Sequence, residues 1–136
     1  MTDKHEYGIW TARWTGGVSA QVTGRGHVLQ ADEPPEFGGD NSGPMPTEIL
    51  CAALASCFCM ALAWSANRRG VELTSIEVDV RPERAGKEPR HGAYDIWVRS
   101  SVPPETLAPL VELAKRVCWV SNTLASPPEM RYHLPE

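Results

Sequence analysis

The chain has 136 residues, a net charge of −4, 42% hydrophobic residues and 22% charged ones. These values describe one globular domain, residues 1–136, with an ordinary core, and they exclude a disordered or low-complexity chain. The basic residues are scattered, and glutamates and prolines interleave the run from Arg81 to Arg90. No basic patch for nucleic acid is therefore expected.

The N-terminus, MTDKHEYGIW, has no apolar signal region, so a cytoplasmic protein is expected. In that compartment the four cysteines point to core filling or reactive thiols, not to a disulfide scaffold.

Glu6 to Trp14 has the aromatic and β-branched content of a strand, and Gly16-Gly17 marks a hairpin. Val18 to Thr23 is the second strand, Gly24-Arg25-Gly26 a tight turn, and His27 to Ala31 the third strand of an antiparallel meander. Asp32 to Pro46 holds four prolines and three glycines, which prevents regular pairing. It lacks the Gly-Lys-Ser/Thr ending of a phosphate-binding loop. A structureless loop of that length connects, or binds and covers something.

The segment Thr47 to Arg69 organises the chain. It carries no charge from Ile49 to Ala66 and holds three of the four cysteines. Thr47 is placed as the N-cap, Glu48 suits the positive end of the dipole, and Gly70 is a stop. A helix of about 33 Å would almost span a bilayer. Its Ala, Ser and Cys content favours a buried core helix over a membrane span.

Glu72 to Pro82 contains a strand with Ile76, Val78 and Val80 on one face. Glu83 to Gly92 is a charged turn, and Ala93 to Val102 returns as the second arm of a hairpin. Glu105 to Cys118 forms a second helix with an apolar stripe of Leu107, Leu110, Val111, Ala114, Val117 and Cys118. Ser121 and Asn122 are expected to cap a short final turn, and Met130 to Leu134 to form a last strand. The order βββ-α-ββ-α-(β) is α+β, with two helices on antiparallel sheet.

Helical spacing separates the three clustered thiols. At about 100° per residue, Cys51 lies about 120° from Cys57 and Cys59 about 160° from it. They cannot converge on one metal ion, so no metal is expected. Cys51 and Cys59 are assigned to the core. Cys57 shares its face with Leu50, Ala53, Leu54, Met60, Ala61 and Trp64, and Cys118 ends the stripe of the second helix. Each of the two is a buried inert thiol or one half of a redox pair. If the helix faces meet, a disulfide is within reach. A peroxide would oxidise one thiol to a sulfenic acid that the other resolves, given a nearby cation to hold the thiolate.

GGDNSGPMPTEILCAALASCFCMAL, with Gly70-Val71-Glu72-Leu73 and the strand from Ile76 to Val80, resembles the OsmC/Ohr superfamily. Cys118-Trp119-Val120-Ser121 resembles that family's second-cysteine motif, where proline usually stands in place of Trp119. The resemblance implies an intertwined α+β homodimer around the long cysteine-bearing helix, with sites at the subunit interface. It implies a peroxidase for organic hydroperoxides, with Cys57 peroxidatic, Cys118 resolving, a lipoyl-type dithiol as reductant and no cofactor. Thr47 occupies the position of the hydroperoxidase branches' glutamate, and Glu48 stands one residue later, about 180° from Cys57. The loop from Phe37 to Met45 lacks those branches' arginine. Arg25 is the first candidate to hold the thiolate, with Arg13 behind it, and Glu48 is a further candidate for the catalytic site.

Overall fold

A computed structural model describes residues 8–136. Glu6 and Tyr7, the start of the expected first strand, lie outside the described residues. The chain forms two compact units, one ending at Leu50 and the other running from Cys51 to Glu136.

In the first unit, β1 (Thr11–Gly16), β2 (Ser19–Gly24) and β3 (His27–Ala31) form an antiparallel meander in that order. Arg25 and Gly26 both adopt positive φ, 48° and 82°, the left-handed pair of a two-residue hairpin turn. Directly paired residues share a face, so Ala12, Val22 and Leu29 form one apolar row and Trp14, Ala20 and Ala31 the next. Ala12, Trp14 and Leu29 on this face are exposed.

The segment after β3 is a closed loop organised by one carboxylate. Asp32 is 2% exposed. It accepts hydrogen bonds from the amides of Glu33, Asp40 and Ser42 and from the Ser42 hydroxyl. Its own N–H donates to the Pro44 carbonyl and closes the loop at its base. Prolines cannot donate, so a side chain supplies the acceptor that a strand partner would otherwise provide.

The long helix, α1 (Pro46–Arg68), starts one residue earlier than the sequence suggested. Thr47 is not its cap. Pro46 opens the first turn, where a missing N–H costs nothing. Glu48 Oε1 accepts the Met45 N–H while the Met45 carbonyl accepts from Ile49. The carboxylate therefore reaches back over the helix start, as in a capping box. At the other end Gly70 takes a φ of 68°. The Val71 N–H then bonds the Ala66 carbonyl and the Gly70 N–H the Asn67 carbonyl, a Schellman closure.

In the second unit α1 is followed by β4 (Ile76–Arg84) and β5 (His91–Ser100), a two-stranded antiparallel hairpin. Then come α2 (Pro104–Val117) and α3 (Trp119–Ala125). The core joins Phe58, Ala61, Leu62 and Ala66 of α1 to Leu110, Ala114 and Cys118. Val71, Leu73, Ile76, Val78, Val98, Leu107, Val111 and Val117 pack at its margin. Burial of a side chain such as Leu62 contributes about 1.5–3 kcal/mol.

Three sequence expectations are corrected here. Ser121 and Asn122 lie inside α3 and do not cap it. Cys118 is the junction, since its N–H bonds Ala114 and its carbonyl accepts from Asn122. Met130 to Leu134 is not a strand: after Pro127-Pro128 no sheet edge among the described residues pairs with it. Cys51 and Cys59 are only half-buried, because their own chain covers α1 on one side only. The helix is apolar nearly all round and is long and apolar enough to cross a bilayer, yet only 33% of its most apolar window is buried. The covered part packs as a core helix does.

Candidate functional site

Two of the sequence-nominated residues lie in the second unit and border one hydrophobic cluster. Cys118 is 0% exposed and belongs to the core cluster, and Cys57 is half-buried and packs against that same cluster. Both are free thiols. The fully buried residues of α1 from Leu54 onward, Leu54, Phe58, Ala61, Leu62, Ser65 and Ala66, occupy an arc beginning about 40° from Cys57. On the other side of Cys57 lie Met60 and Trp64, which are 70% and 47% exposed. Cys57 therefore stands on the boundary between the core and an open apolar stripe. Cys57 is partly exposed and Cys118 is not.

The other nominated residues lie in the first unit. Arg25 is exposed at the tip of the β2–β3 turn, and Arg13 is exposed on β1. Glu48 is engaged with the Met45 amide. Among the described residues, Cys57 has no hydrogen-bond or ion-pair partner.

The structure also brings together a group that the sequence reading left in a charged turn. Arg84 pairs with His91 and Glu83 with Ala93, so Gly92 is an extra residue in β5. Residues three apart in a strand normally face opposite ways; this bulge turns His91 onto the face of Tyr94. His91 Nδ1 and Tyr94 Oη are 2.7 Å apart, with the rings edge to face. Burial pushes the Tyr94 phenol up, and the negative charge of a Cys51 thiolate pushes it the same way. The phenol stays protonated and able to donate. The glycine inside a strand-forming run, His91-Gly92-Ala93-Tyr94, was the available signal. Among the described residues no group of three or more His, Cys, Asp or Glu side chains is arranged to hold a metal ion.

The OsmC-like protein family is matched over residues 39–133, which takes in α1, the β4–β5 hairpin, both thiols and α3. The chain belongs to the OsmC family. A relative from Haloferax volcanii, an uncharacterized protein, is 28% identical over 87 residues, covering 62% of this chain and 66% of the relative. The chain thus matches just under two thirds of that relative's length.

Solved structures with the OsmC fold superpose along most of the chain. An OsmC-like protein from Mycoplasma pneumoniae gives a TM-score of 0.76 at 16% identity, covering 93% of this chain and 91% of that one. An organic hydroperoxide resistance protein from Legionella pneumophila gives 0.65 at 20% identity, covering 88% and 89%. The organic hydroperoxide resistance protein OhrB of Bacillus subtilis gives 0.60 at 22% identity, covering 88% and 91%. At these identities the likeness is one of fold. The α+β architecture, with antiparallel sheets and a long cysteine-bearing helix, is that of the OsmC family.

Proposed function

We propose that this OsmC-family chain is a thiol peroxidase that reduces organic hydroperoxides to alcohols in the cytoplasm. The reading is supported by two thiols on one apolar cluster, Cys118 buried within it and Cys57 half-buried against it. Relatives of the same fold that are named organic hydroperoxide resistance proteins support it.

In the proposed cycle the Cys57 thiolate attacks the terminal oxygen of the hydroperoxide. The O–O bond breaks, the alkoxide leaves and takes a proton to become the alcohol, and Cys57 becomes a sulfenic acid. The Cys118 sulfur then attacks the Cys57 sulfur. A disulfide forms, and hydroxide leaves and is protonated to water. An external dithiol of the lipoyl type returns two electrons and two protons, restoring both thiols. The first thiol must meet peroxide and the second must not be oxidised on its own, which matches half-buried Cys57 and buried Cys118. Arg25 is the candidate to favour the thiolate. The chain would act as an intertwined homodimer, a second copy covering the exposed apolar face of the β1–β3 sheet around Trp14 and Leu29.

Intact mass after one equivalent of cumene hydroperoxide tests the cycle. A loss of two hydrogens, mapped to Cys57 and Cys118, is expected, and Cys57→Ser is expected to reduce peroxide consumption by at least about a hundredfold. Full activity in Cys57→Ser would sink the assignment.

A second reading is a non-catalytic dimer that binds an apolar ligand or senses redox state. It is favoured by the lack of any polar partner for Cys57 among the described residues. An unchanged mass at both cysteines would select it.

A further inference from the structure

We propose that Cys51 is a second nucleophilic thiol, served by Tyr94 and His91, that exchanges with small disulfides to form a mixed disulfide. It is independent of the peroxidase reading of Cys57.

Helix and strand spacing bring the three groups to one place. At about 100° per residue, Cys51 lies about 20° from both Phe58 and Leu62, which are 4% and 0% exposed. It therefore faces the core side of α1, about 140° from Trp64 and about 180° from Met60. The open apolar stripe plays no part in it, nor does a second copy seated there. On β5, Val98 packs against the cluster that holds Phe58 and Leu62, and Ile96 and Tyr94 share its face. Tyr94 is about 13 Å along the strand from Val98, and Cys51 is about 10 Å along the helix from Phe58. Both stand just beyond the same end of the core.

Tyr94 links the other two groups. Its Oη is 2.7 Å from His91 Nδ1, which the Gly92 bulge turns onto this face. Burial, and then the charge of a Cys51 thiolate, push the phenol up, so Tyr94 stays protonated beside the thiol. All three residues are half-buried, within reach of a small reagent. Arg84 stands opposite His91 across the hairpin, donates to the Lys87 carbonyl and adds a cation on the side that favours a thiolate. Glu48, three residues before Cys51 on α1, is turned to the Met45 amide.

A proton leaving the thiol passes through the phenol to the imidazole. His91 Nδ1 then donates to the Tyr94 oxygen, and the phenol O–H is released toward the Cys51 thiolate. The thiolate attacks one sulfur of a small disulfide. That S–S bond breaks, a new one forms to Cys51, and the departing thiolate takes the proton that His91 held. Disulfide exchange suits the cluster because it needs a base before attack and an acid for the leaving group. Cys57 and Cys59 cannot resolve the product within the helix. They lie about 9 and 12 Å along α1, beyond the roughly 7 Å that a disulfide allows between Cα atoms. The mixed disulfide persists until an external thiol removes it.

The test treats the full chain with bis(2-hydroxyethyl) disulfide and reads each cysteine separately by tandem mass spectrometry. Cys59, half-buried on the same helix, is the internal reference. At neutral pH Cys51 is expected to react at least about tenfold faster than Cys59. Tyr94→Phe and His91→Gln are each expected to remove most of that difference and to move the half-maximum of the Cys51 rate to higher pH. A wild-type ratio near one overturns the proposal without any variant. So does a rate that either variant leaves unchanged. A rate that falls equally at every pH, with its half-maximum in place, marks altered packing and overturns it too. Peroxide consumption is not read, so failure of the Cys57 cycle and failure of this proposal are separate results.

Discussion

The two units of this chain are held together by different physics. Up to Leu50, order comes from backbone ladders and from one carboxylate, Asp32, that gathers four donors, while an apolar sheet face stays open. From Cys51 onward, order comes from apolar side chains, and Leu62, Leu110, Ala114 and Cys118 are all but sealed from solvent. The lesson is one of placement. The core cluster that holds Cys118 and borders Cys57 belongs to the second unit. The loop ahead of the helix needs a fixed path without strand partners, and a buried polar hub provides that.

Breaking the core should show the contrast most strongly. Leu62→Ala removes the centre of the second unit and is expected to cost about 2–5 kcal/mol. Chemical denaturation would measure it, with amide exchange of the first unit followed alongside. Protection in α1 and α2 should fall first. An equal loss at the Asp32 loop would erase the distinction between the units.

Acid should act in the opposite place. The Ser42 hydroxyl, then the Ser42 amide, with smaller help from the amides of Glu33 and Asp40, holds the Asp32 carboxyl down at about 2 against the opposing effect of burial. A depressed folded pKa contributes stability that is complete above the unfolded value, about 4, and is lost as pH falls toward 2. Amides of Asp40 and Ser42 are therefore expected to lose exchange protection in that window. In Asp32→Asn the loop amides should be less protected at neutral pH and their protection nearly flat across it. A steep transition persisting in Asp32→Asn would place the acid sensitivity elsewhere.

The smallest effect sharpens the border of the helix. Gly70→Ala forces a side chain into the left-handed conformation that closes α1 and is expected to cost about 1 kcal/mol. A thermal melt would register it as a shift of a few degrees. A neutral outcome would mean that the helix end relaxes without its Schellman closure.

Much of the fold was legible in the residues. The Gly-Gly turn and the Arg25-Gly26 turn placed the meander, and period-2 apolar residues placed the hairpin at Ile76, Val78 and Val80. A 3.6-residue stripe placed α2 with Cys118 at its end. The misreadings share a cause. Thr47 looked like a cap because Ser and Thr often are, but a proline and Glu48 already satisfied the helix start. Met130 to Leu134 looked like a strand because its side chains suit one, but a strand requires a partner edge. Cys51 and Cys59 looked like core because α1 is apolar, yet composition does not say which side of a helix gets covered. The Asp32 hub and the His91–Tyr94 pair were invisible because their partners are set by loop closure and by a bulge.

By itself, the sequence determined that a long apolar helix carries three cysteines, that a second helix ends in another, and that strands precede both. Those are local matters of periodicity and turn chemistry. Only the tertiary structure decided that Cys57 stands at the rim of the core with an open stripe beside it, while Cys118 is sealed at the α2–α3 junction. Accessibility depends on what packs against a side chain from distant parts of the chain, and no periodicity within one segment encodes that.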